Sequence, residues 1–158
     1  ALRITGGDVI DPTALFQWMN RMGQPLYAYQ APTGYPDRAE AWVNTGSLLN
    51  RMNFGLQLAA NRVKGVSVDV AALDGGREPA SREDALRTYA ALLMPGRDLD
   101  AALKLLGPMV ADPNLAKRVD QAAAKDVKEP KQPVDRRPPT PVEQVVGVIL
   151  GSPEFQRR

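Results

Sequence analysis

Apolar residues recur along this chain at helical spacing, and each run is bounded by residues that start or stop helices. Asp11-Pro12 places an N-cap before a proline at the first helical position; Leu15, Trp18, Met19 and Met22 then share one face until Gly23. Asp37 with Glu40 has capping-box spacing and opens a helical stretch to about Val63, stopped by Gly65. Asn44-Thr45-Gly46-Ser47 interrupts it, with Ser47 starting a second segment. The buried stripe is Ala39, Trp42 and Val43, then Leu48, Leu49, Met52, Leu56 and Ala59. Ser81 with Asp84 opens the next helix, which runs to about Met94 before Pro95-Gly96. Leu99, Leu103 and Leu106 mark another, ending near Gly107-Pro108 or one turn later. Asp112-Pro113 repeats the cap-plus-proline signature ahead of Leu115, Val119 and Ala122, to about Lys125. Thr140-Pro141-Val142-Glu143 is a full N-terminal box for a helix over Val145, Val146, Val148 and Ile149 to Gly151. Ser152-Pro153-Glu154 adds a last turn carrying Phe155.

Two stretches break the helical period. GQPLYAYQAPTGYP, Gly23 to Pro36, has three prolines and no sustained pattern, yet Leu26, Tyr27, Tyr29 and Tyr35 are too apolar for a free coil. An ordered loop is expected. Residues 130–141 hold Pro130, Pro133, Pro138, Pro139 and Pro141, which forbid a helix or an inner strand and predict an extended strap over 127–139. Val66-Ser67-Val68-Asp69-Val70 alternates as a strand does, but a lone strand lacks a partner, so an extended connector is expected. The fold class is all-α: one irregular domain over 1–158, of about five to seven helices.

Composition narrows the chemistry. Among 158 residues there is no Cys and no His. That removes disulfides, thiolate zinc sites, iron–sulfur clusters, cysteine nucleophiles, histidine triads and imidazole acid–base chemistry from this stretch. Twenty basic against eighteen acidic residues leave a net charge of +2 with no run of five like charges, so nucleic acid is not an expected partner. Arg136–Arg137 and Arg157–Arg158 read as solvated ends. No apolar stretch approaches the roughly 18–20 residues that span a bilayer.

Seven of nine aromatic residues lie between Phe16 and Phe54. Tyr and Trp combine a large apolar body with a polar handle, which suits a partner surface. Gln24, Tyr27, Tyr29, Tyr35, Trp42, Asn44 and Asn53 are therefore the candidate binding residues, for a protein or a glycan. The competing reading is that a long loop needs aromatic anchors. Asp37 and Glu40 are spaced as a cap and its partner, Asp98 and Asp100 flank a helix start, and Asp69 and Asp74 lack metal-loop spacing. Gly6-Gly7 and Gly75-Gly76 lack the context of a phosphate loop. No catalytic constellation, metal site or cofactor site emerges, which favours a non-enzymatic interaction or scaffold module. The alternative is a carbohydrate-active or other hydrolytic protein, with Tyr27, Tyr35, Trp42 and Asn44 lining a cleft and Asp37 as acid or base.

The stretch from Gly23 to Phe54, GQPLYAYQAPTGYPDRAEAWVNTGSLLNRMNF, resembles the C-terminal region of the bacterial family called domain of unknown function 1800. The ending LGSPEFQRR, Leu150 to Arg158, resembles that family's last residues. The resemblance implies a helical fold, a full-length protein considerably larger than 158 residues, and export from the bacterial cytoplasm. It brings no reaction, cofactor or catalytic residue. Asp69 to Pro141 matches no motif. In these terms Ala1-Leu-Arg-Ile is the tail of a helix that starts upstream, and the chain is a C-terminal part. Leu2, Ile4 and part of the Val145–Ile149 face are then expected to border an apolar patch. The missing N-terminal region, another protein or a second copy would cover it.

Overall fold

The computed structural model describes residues 1–28, 34, 37–38, 45–115, 117 and 137–156 of the chain. Among them lie six α-helices, one 3₁₀ turn and one ribbon with two residues per strand, an all-α irregular domain. In chain order these are β1 (Asp8–Val9), α1 (Thr13–Arg21), α2 (Thr45–Ala59), β2 (Val66–Ser67), the 3₁₀ turn Ala72–Asp74, α3 (Arg82–Leu93), α4 (Leu99–Val110), α5 (Pro141–Gly151) and α6 (Pro153–Gln156).

The helix starts follow the local chemistry. The Asp11 carboxylate accepts a hydrogen bond from Thr13 N at 2.9 Å, and Asp112 accepts from Asn114 N at 2.9 Å, so both Asp-Pro pairs orient the backbone that follows. Ser81 Oγ accepts from Asp84 N and Asp98 Oδ1 from Ala101 N, each at 3.1 Å. At α5 the box is complete: Thr140 Oγ1 accepts from Glu143 N at 3.2 Å and the Glu143 carboxylate accepts from Thr140 N at 2.8 Å. Pro108 falls within α4, which continues one turn past Gly107-Pro108 to Val110. Ser47 is not a cap: α2 begins at Thr45, and Ser47 is a buried residue of its first turn.

α5 is the centre of the domain. Every residue from Glu143 to Gly151 is buried, and the helix packs against α2, α3 and α4. The apolar patch expected at Val145–Ile149 is therefore absent, because those side chains fill this domain's own core. A helix apolar on all sides does need neighbours all round, and here α2, α3 and α4 supply them. At the other end of the expected patch, Leu2 is half-buried and Ile4 lies at the surface.

The contact between α2 and α5 is unusually close. A Cβ placed on Gly55 would lie 2.5 Å from Gly151 N and 2.7 Å from the Gly147 carbonyl oxygen. At Gly147 a Cβ would meet Leu56 Cα at 2.9 Å, and at Gly151 it would meet Met52 Cα at 2.8 Å. Three glycines thus let two helix backbones touch where any side chain would hold them apart.

Val66–Ser67 does find a strand partner, contrary to the expected connector. It pairs antiparallel with Asp8–Val9, Asp8 opposite Ser67 and Val9 opposite Val66. Asn61 reinforces the turn beside it. Held at φ 54, its side-chain amide donates to the Val68 carbonyl at 2.8 Å and its oxygen accepts from Val68 N at 2.6 Å. That two-bond clasp imitates a ladder partner and buries Val66, Val68 and Val70 on alternate positions.

Candidate functional site

Two regions carry functional potential. The first is the junction of α1 and α2, where sequence placed the binding residues. Trp18 turns its ring against Phe54, with ring centres 5.5 Å apart, and the Arg21 guanidinium sits 5.3 Å above the indole. Asn50 donates to the Arg21 carbonyl at 2.7 Å, and a Cβ on Gly23 would come within 2.9 Å of Ser47 Oγ. The chain leaving α1 is thus fastened to the first turns of α2 before Gln24–Tyr27 reaches solvent. Leu26 is 50% exposed, Leu49 56% and Tyr27 100%. Tyr27 also adopts a left-handed backbone, φ 55, which L side chains rarely take.

Of the seven candidate residues, Gln24 and Tyr27 lie on this surface and Asn53 is half-buried, one turn along α2 from Leu49. Tyr29, Tyr35, Trp42 and Asn44 lie outside the described residues, as does most of the loop they sit on. Asp37 is exposed in a bend, and its expected capping partner Glu40 is also outside them. Residues 127–136 of the expected strap are outside as well; 137–139 have no regular secondary structure.

The second region was not legible in the sequence. A cavity of about 970 Å³ opens between Val68–Arg82 and the start of α5, with Tyr89 of α3 among its lining residues. Arg137 and Glu143, both in its lining, form an ion pair, with Arg137 Nη1 donating to Glu143 Oε2 at 3.2 Å. Arg137 is therefore not a free solvated end. Its carbonyl also accepts from Arg62 at 3.1 Å. Arg82 donates to the Val110 carbonyl at 3.2 Å and to Gln144 Oε1 at 3.3 Å, and Gln144 in turn donates to the Pro139 carbonyl at 2.9 Å. Burial first, then the negative charges of Asp74 and Asp69, raise the Tyr89 phenol above its ordinary value, so it keeps its proton at neutral pH. A second, smaller groove of about 260 Å³ is lined mainly by Met52, Leu56, Pro108, Met109, Leu115 and Val148. Neither cavity is lined by Gln24, Tyr27, Asp37 or Asn53. Among the described residues, no group of three or more acidic side chains is placed to hold a metal ion.

The sequence model of the family described as protein of unknown function (DUF1800) matches residues 1–157. The chain belongs to this family. The match takes in the Asp69–Pro141 stretch, which carried no motif of its own, so the second cavity lies wholly within the DUF1800 region. Neither the curated proteins nor the solved structures include a significant match to this DUF1800 chain. No helix among its described residues is long and apolar enough to cross a membrane.

Two sequence signals could have pointed further than they did. Gly147 and Gly151, four apart in an otherwise apolar helix, are the spacing that lets helices approach closely. Arg82, one residue after the Ser81 cap, sits where its long side chain can reach back to a neighbouring helix end.

Proposed function

We propose that this chain is a non-enzymatic interaction module whose docking surface is the α1–α2 junction. The observation that carries the reading is Tyr27, wholly exposed next in the chain to half-exposed Leu26, a few residues beyond the end of α1 that Asn50 fastens to α2, the helix that carries half-exposed Leu49. Aromatic side chains held out on a fixed backbone lose little conformational freedom on binding, and Tyr is among the residues that dominate interface energetics. On this reading the chain is the C-terminal helical domain of a larger exported bacterial protein. Its partner is a protein surface, either the upstream region of the same molecule or a second protein. The resemblance of Gly23–Phe54 and Leu150–Arg158 to family members supports the larger protein and the extracytoplasmic setting.

Site-specific photocrosslinking tests it. A benzophenone amino acid at Tyr27 or Leu49 of the full-length protein, in its own cells, should give discrete adducts that the same probe at exposed Glu83 does not. Adduct yields at Tyr27 and Leu49 no higher than at Glu83 would refute the docking surface.

A further inference from the structure

The cavity beside α3 and α5 has no part in the docking surface, yet it is the more chemically equipped region. Its volume of about 970 Å³ is at the upper end of the roughly 300–1,000 Å³ that small-molecule sites occupy. Most polar groups around it are already engaged. Arg137 and Glu143 hold each other, Arg82 is bound to Val110 and Gln144, and Asn61 is bound to Val68. Asp69 Oδ1 accepts from Ala71 N and Ala72 N, both at 3.1 Å.

A small set stays uncommitted among the described residues: the Arg77 guanidinium and Glu78 carboxylate at the rim, the second oxygen of Asp69, and the Tyr89 hydroxyl. Tyr89 is 0% exposed and its hydroxyl has no hydrogen-bond partner. Buried hydroxyls nearly always have one, so an orphan that lines a cavity points to something the cavity takes in. One free cation, two free carboxylate acceptors and one hydroxyl, set among Val68, Val70, Pro79 and Ala85, complement a particular kind of molecule. It carries an ammonium, a carboxylate and a short uncharged body between them.

We propose that this cavity binds a zwitterion of the amino-acid or short-peptide class: Asp69 and Glu78 take the ammonium, Arg77 the carboxylate, and the Tyr89 hydroxyl an amide group between them. The phenol keeps its proton, so it can donate to a peptide carbonyl or accept from a peptide N–H.

Calorimetric titration of the 158-residue chain with tri-alanine, N-acetyl-tri-alanine and tri-alanine amide at pH 7 tests the assignment. Free tri-alanine should bind, and blocking either end should weaken binding about tenfold or more, the usual scale for losing a charge-assisted contact. Asp69→Asn keeps the Oδ1 acceptor of the turn and should weaken free tri-alanine while leaving the acetylated peptide as it is. Tyr89→Phe should weaken binding by a similar factor with a thermal midpoint equal to or above the parent's, since it deletes an unpartnered hydroxyl. If Tyr89→Phe proves less stable, Arg77→Ala on the exposed rim decides instead: it should bind tri-alanine no better than tri-alanine amide. The proposal is overturned by absence of tri-alanine binding up to about 10 mM. Blocked peptides that bind as well as the free one, or undiminished binding by these variants, overturn it too.

Discussion

Gly55→Ala is the most informative single change in this domain, because it adds one methyl group where two backbones touch. The new Cβ would lie 2.5 Å from Gly151 N, and restoring an ordinary separation of 3.4 Å requires 3.4 − 2.5 = 0.9 Å of movement between α2 and α5. Neither clashing atom is a side chain that could rotate away, since both Gly151 N and the Gly147 carbonyl oxygen are backbone. A gap of about 0.5–1 Å forfeits a quarter to a half of the dispersion attraction of the atoms it separates. Leu56, Val148 and their neighbours would lose that much along the interface. Overpacking of this kind costs about 1–3 kcal/mol, occasionally more, and the helix propensity of Ala returns about 1 kcal/mol. With unyielding backbone on one side the upper part of the range applies, so we expect a net loss of about 2 kcal/mol. For a chain of this length that is a fall of about 4–8 °C in thermal midpoint. Gly107→Ala is the control: a Cβ there meets nothing within 4 Å, and the restriction imposed by Pro108 offsets part of the propensity gain. It should stay within about 1 kcal/mol of the parent. Circular-dichroism melts and urea titrations of the three proteins decide the matter. A Gly55→Ala protein that melts with or above the parent would refute the close approach of α2 and α5.

Four further outcomes are expected. Asn61→Ala removes both bonds to Val68 and leaves a β-carbon at φ 54, and should cost about 2–4 kcal/mol by urea titration, against a smaller loss for Asn61→Gly, which keeps the backbone relaxed. Thr140→Ala opens the α5 box and should cost about 0.5–2 kcal/mol, with Glu143→Gln less harmful than Glu143→Ala because the amide oxygen still accepts from Thr140 N. Asp11 is held below its ordinary pKa by the Thr13 side chain and backbone N–H, so its stabilisation is complete above the unfolded value near pH 4. It fades as pH falls through the folded one, and Asp11→Ala should flatten that acid limb in pH-dependent melts. Tyr89 has the opposite sign: burial, then Asp74 and Asp69, raise its folded pKa, so stability present below about pH 10 is lost as pH climbs toward the folded value, a loss that Tyr89→Phe should lack.

Helix starts were legible because their chemistry is local. Asp11-Pro12, Ser81 with Asp84, Asp98 and the Thr140–Glu143 box each act within about one turn, and each accepts the backbone bonds its spacing predicts. The all-helical class follows from the same runs. What sequence could not reveal was decided by residues far apart in the chain. β2 reads as unpartnered until Asp8–Val9, nearly sixty residues earlier, is placed beside it. The apolar excess of Val145–Leu150 could mean an open face or a central helix, and only the positions of α2, α3 and α4 distinguish the two. Gly55, Gly147 and Gly151 look like weak points of helices when taken singly; paired, they are the interface. In the candidate sites the contrast is similar. Leu26 and Tyr27, expected from the sequence as apolar anchors of an ordered loop, stand exposed instead, whereas the cavity draws Asp69, Arg77 and Tyr89 from three separate stretches, none of which carries a motif.

The position of α5 within the chain has a consequence for synthesis. α2, α3 and α4 are all made before the helix they surround, and 151 − 110 = 41 residues separate the end of α4 from the end of α5. At translation rates of about 5–20 residues per second, that interval lasts roughly 2–8 seconds, and passage through the ribosomal tunnel delays both helix ends alike. Throughout it, the apolar stripes that will enclose Val145, Val146 and Ile149 face one another without their filling. A ribosome that stalls before residue 141 therefore leaves α2, α3 and α4 without the helix they enclose.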